Sequence, residues 1–115
     1  MSFKAFMEAF FQKNTNPDPA EAFKETGFPY MAIRNKKRID DTPMHHPAAV
    51  AKKLATRAQS ELYKAKKLSG MDIYSFMAFD RTDNNIIILT AGTQEEIDVL
   101  RTYFLDNEFF ELVYG

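Results

Sequence analysis

The chain has 115 residues, 45% of them hydrophobic and 27% charged, with a formal net charge of −1 and neither cysteine nor tryptophan. That length suits one domain with a modest core. The lack of cysteine excludes disulfides, thiolate metal sites and a thiol nucleophile, and no run of about 18 apolar residues is present to form a membrane span. Lys4, Glu8 and Lys13 interrupt the first apolar stretch and no small-residue cleavage site follows, so the expected location is cytoplasmic.

The small net charge hides a segregation. Residues 34–67 hold ten Lys or Arg against Asp40, Asp41 and Glu61, net +7. Residues 68–115 hold Arg81 and Arg101 against nine acids, net −7. Either the two segments neutralise each other within the fold, or the basic one meets an acidic partner, whether nucleic acid, protein or anionic lipid.

Ser2 caps a predicted helix from Phe3 to Lys13. Phe3, Phe6, Met7, Phe10 and Phe11 recur at helical spacing and make one face very apolar. Such a face either packs in the core or inserts into a partner's groove. Asn-Pro and Asp-Pro then mark a turn over 14–18. Asp18 and Pro19 open a second short helix, with Glu21 in its first turn and Gly27 beyond its end. Tyr30–Arg34 reads as a strand, and Asn35–Arg38 as an exposed basic turn or loop.

His45 and His46 follow Asp40 and Asp41, but adjacent side chains diverge and no third ligand stands at a characteristic spacing. No metal site is expected. Pro47 then opens the longest element, a helix running to Ser69 and closed by Gly70. Its apolar arc is Val50, Ala51, Leu54, Ala55, Ala58, Leu62, Ala65 and Leu68. The opposite arc carries Lys52, Lys53, Arg57, Lys64, Lys66 and Lys67, with Glu61 the only acid.

The pattern then changes to period two. Met71–Asp80 places Ile73, Met77 and Phe79 on one side and Tyr74, Phe76 and Ala78 on the other, as in a central strand or one covered on both faces. Residues 81–84 form a hairpin loop, and Asn85–Ala91 is a β-branched strand broken by Gly92. Thr93 and Glu96 make a capping box for a helix whose stripe is Ile97, Leu100, Phe104 and Leu105. Phe109–Tyr114 is a closing strand.

From residue 29 on, the order strand, helix, strand, strand, helix, strand predicts an α+β domain. Its four-stranded antiparallel sheet carries two helices on one face in ferredoxin-like βαββαβ order. Residues 1–28 form a helical extension packing on or beside it.

No catalytic constellation stands out, and the four glycines leave no phosphate-cradling loop. No cofactor is expected. Two surfaces are candidates for binding. One is the apolar set Phe3, Phe6, Met7, Phe10 and Phe11, for a protein partner. The other is the basic patch of Arg34, Lys36, Lys37, Arg38, Lys52, Lys53, Arg57, Lys64 and Lys67. The expected function is a small non-catalytic protein–protein interaction module, a subunit or adaptor of a larger assembly, with self-association included among its contacts. The alternative is a nucleic-acid-binding or regulatory protein using residues 34–67. RNA-binding domains of this class read bases with aromatics on the central strands, and here those strands offer only Tyr30.

Overall fold

The structure is a computed structural model that describes residues 2–13, 19–36, 47–80, 83 and 85–114. Its elements are α1 (Phe3–Lys13), α2 (Pro19–Glu25), β1 (Tyr30–Asn35), α3 (Pro47–Ser69), β2 (Ser75–Phe79), β3 (Ile86–Ala91), α4 (Gln94–Phe104) and β4 (Phe110–Tyr114). The strands form one antiparallel sheet in the order β2-β3-β1-β4. The fold is therefore α+β, with β1 and β3 in the middle and β2 and β4 at the edges.

Local chemistry accounts for the helix limits. The Ser2 hydroxyl accepts from Ala5 N at 3.1 Å at the start of α1. Gly70, at φ +70°, ends α3 and donates to Lys66 O at 3.1 Å. Thr93 accepts from Glu96 N at 3.2 Å, and its hydroxyl donates to the Glu96 carboxylate at 2.9 Å. That return bond comes from the side chain rather than from the cap's backbone N–H.

Each face of the sheet has its own core. Met31 and Ile33 of β1 and Ile87 and Leu89 of β3 point to one side. There they meet Leu54, Ala58, Leu62 and Ala65 of α3 and Ile97, Leu100 and Phe104 of α4. Ala32 and Ile88 point to the other side, with Met7 of α1 and with Ala20 and Phe23 of α2. The alternation of a strand thus feeds two helical layers, and both middle strands are buried on both faces. Phe3 packs edge-on against Phe28 (ring centroids 4.8 Å apart) and Phe76 (5.6 Å). This close approach needs a glycine opposite: a Cβ at Gly92 would lie 3.0 Å from the Phe3 Cβ.

Three sequence expectations are corrected. The segment expected to be a strand over 71–80 pairs only over Ser75–Phe79; it is an edge strand packed on both faces, the second of the two arrangements that its two-sided pattern allowed. Leu68 is 78% exposed and lines a recess between α3 and α4 instead of packing in the core. Leu105 lies beyond the end of α4 and is also exposed.

Candidate functional site

The α3 face away from the sheet forms one wall of a groove of about 710 Å³. Lys52, Lys53, Thr56, Arg57, Ser60 and Lys64 line it at positions that return every helical turn. The opposite wall is Phe109, from the turn before β4. The Asn107 carboxamide holds that turn, its oxygen accepting from Phe109 N at 2.8 Å and Phe110 N at 3.0 Å. The Arg57 guanidinium lies 4.6 Å above the Phe109 ring, a cation–π contact that spans the groove.

Glu61 forms the floor and is only 4% exposed. The Tyr103 hydroxyl of α4 donates to one of its carboxylate oxygens, and Lys64 Nζ stands 3.8 Å from the other. A buried carboxylate needs such partners. Burial, and then the bond to Glu61, push the Tyr103 phenol up to about 12, so it stays a donor across the neutral range. Sequence reasoning placed Glu61 among the solvated lysines and missed the Tyr103 partner. The available signal was its position three residues after Ala58 and one before Leu62, at the margin of the apolar arc.

The structure divides the predicted basic patch. Lys52, Lys53, Arg57 and Lys64 share the groove. Lys36 stands at its Phe109 end: its N–H donates to Phe109 O at 2.8 Å, and its Nζ donates to Asn107 O at 2.7 Å. Arg34 projects from the opposite face of the sheet and pairs with Glu111 at 3.8 Å. Lys67 lies over the Tyr63 ring, at 5.2 Å, elsewhere on α3. Lys37 and Arg38, like His45 and His46, fall outside the described residues.

Four of the five apolar candidates on α1 turn toward the sheet. Met7 is fully buried, and Phe3, Phe6 and Phe11 pack against the second core. Phe10 stacks on Phe6 at 6.2 Å and meets Phe11 edge-on at 5.7 Å.

Two further recesses flank α3. One of about 420 Å³ lies between α3 and α4, and Leu68, Glu95, Asp98 and Tyr103 are among its lining residues. The other, about 530 Å³, lies between α3 and the β2 edge. No described helix is long and apolar enough to cross a membrane. No protein-family model matches the chain, and no curated protein and no solved structure matches it.

Proposed function

We propose that this chain is a small non-catalytic interaction module that receives an acidic protein segment in the α3 groove, as a subunit or adaptor of a larger assembly. The observation that supports this most is the gathering of Lys52, Lys53, Arg57 and Lys64 along one concave face beside Phe109. Four cations over a helix length of roughly 18 Å match the spacing of carboxylates along an extended peptide. The Phe109 ring offers an apolar contact between them. A ferredoxin-like description of residues 29–115 belongs to the same reading. It is supported by the element order from Tyr30 onward and by the two middle strands, each parallel to the strand two places away, beyond its antiparallel neighbour. A cytoplasmic setting is proposed with it.

Nucleic acid is the second reading, favoured by the same cations. Two features weigh against it. The sheet face that RNA-binding domains of this shape leave open is covered here by α1 and α2. The groove floor also holds the Glu61 carboxylate, which repels a phosphate more than it does a peptide that can donate N–H groups to it. The α1 aromatics are left out of the proposal because the Phe3, Phe6 and Phe11 rings are engaged with the second core and Phe10 stacks on Phe6.

Titration of the isotopically labelled chain with an acidic peptide carrying one aromatic residue tests this. Shifts confined to Lys52–Lys64 and Phe109 are expected. Binding of single-stranded RNA at the same residues, without peptide binding, would replace the first reading by the second.

A further inference from the structure

The two edges of the sheet are not equivalent. β4 carries a register shift opposite Ala32/Ile33, and Glu111 stands on it in an ion pair with Arg34. Bulges and charges of this kind discourage further strand pairing. β2 has neither device. Ser75-Phe76-Met77-Ala78-Phe79 contains no charge and no proline, and its register with β3 is continuous.

The direction of its outer hydrogen-bonding groups can be worked out. Asp80 N donates to Ile86 O at 2.9 Å, so Asp80 faces β3. Antiparallel alternation then turns Ala78 and Phe76 toward β3, and it turns the N–H and C=O groups of Ser75, Met77 and Phe79 outward.

From this edge we infer that β2 pairs with β2 of a second copy of the chain, antiparallel and centred on Met77. In that register the outward groups of Met77 bond to those of its counterpart, and Ser75 bonds reciprocally with Phe79. This makes about six main-chain hydrogen bonds. The side chains are self-complementary. Phe76 faces Ala78 and Ser75 faces Phe79, so a large residue lies across from a small one at every off-axis pair, and Met77 meets Met77. A two-fold axis through Met77 and perpendicular to the sheet keeps each layer on its own side.

The surroundings of the edge fit a second copy as well. The recess between α3 and the edge is lined by Leu62, Tyr63, Tyr74 and Met77, and Tyr63 and Tyr74 are 59% and 44% exposed. Gln59, Tyr63 and Lys66 form a stripe along α3 above the edge. The two-fold sets Lys66 of one copy against Gln59 of the other rather than against a like charge.

Sedimentation equilibrium of the full chain, of mass 13.3 kDa, together with hydrogen exchange, tests this inference. The expected species is a dimer in which all five β2 amides exchange slowly. Ser75→Pro removes one outward N–H per copy and leaves the β2–β3 ladder intact. It should weaken dimerisation at least tenfold. As a second probe, Met77→Lys and Met77→Glu are each expected to be monomeric alone and to form a mixed dimer when combined, because these positions lie directly opposite each other. A wild-type chain that stays monomeric at concentrations on the order of 0.1 mM would overturn the inference. So would a dimer in which Ser75, Met77 and Phe79 amides exchange freely while Phe76 and Ala78 are protected.

Discussion

Met7→Ala measures how far α1 belongs to the domain. Met7 is fully buried between α1, α2 and the back of the sheet, in a cluster with Phe23, Ala32 and Ile88. Truncation removes three heavy atoms from a site walled by the sheet on one side, where the backbone has little freedom to collapse. A cost of about 3 kcal/mol follows from the range for buried Met-to-Ala changes. Set against a total of roughly 5–15 kcal/mol, that is a large fraction of the stability. Urea unfolding followed by circular dichroism should show the midpoint falling by about 1.5 M, with the slope unchanged. Phe10→Ala is the internal control: its ring is partly exposed, and the expected cost is about 1 kcal/mol. Deleting residues 2–13 should abolish cooperative unfolding, because the ring contacts of Phe3 with Phe28 and Phe76 go with them. A Met7→Ala cost below that of Phe10→Ala, or a deletion variant that still unfolds cooperatively, would refute the reasoning and free α1 for a partner.

Other expectations follow from single contacts. Gly92→Ala should destabilise the chain by crowding Phe3, and Phe3→Ala should cost less in the Gly92→Ala background than in the wild type. Thr93→Ala should cost about 1 kcal/mol by uncapping α4, with α3 unaffected in hydrogen exchange. Tyr103 has a folded pKa of about 12, above the value of about 10 expected when unfolded. Its contribution is therefore intact below pH of about 10 and is lost as the pH rises toward 12. Thermal unfolding should show that loss in the wild type and less of it in Tyr103→Phe. Ultraviolet titration should show Glu61→Gln lowering the Tyr103 midpoint.

How much of this was legible beforehand follows from the range of the interactions involved. The limits of α3 at Pro47 and Ser69 and the Thr93 cap are set by chemistry within one helical turn, and the sequence pattern predicts them where the structure has them. The two-sided apolar pattern of Phe76, Met77, Ala78 and Phe79 predicts packing on both faces. Whether such a strand is central or at an edge depends on which strands pair, and that information is not local. Glu61 lies at the boundary of its helical arc, where a rotation of a few tens of degrees decides between solvent and core. Its burial depends on a tyrosine 42 residues later in the chain. The division of the basic patch has the same origin: Arg34 and Lys36 are two residues apart, yet they serve opposite faces because β1 alternates and then ends.

The most direct measurement is recovery of the chain from its own cells at low and high salt, as wild type and as Lys52→Glu/Lys53→Glu/Arg57→Glu. These three residues lie on the groove face of α3, and the reversal should leave the circular dichroism spectrum unchanged. A stoichiometric protein carrying an acidic segment should accompany the wild type, weaken with salt and be absent from the variant. Recovery of the same partner with both chains would contradict a docking role for the α3 groove.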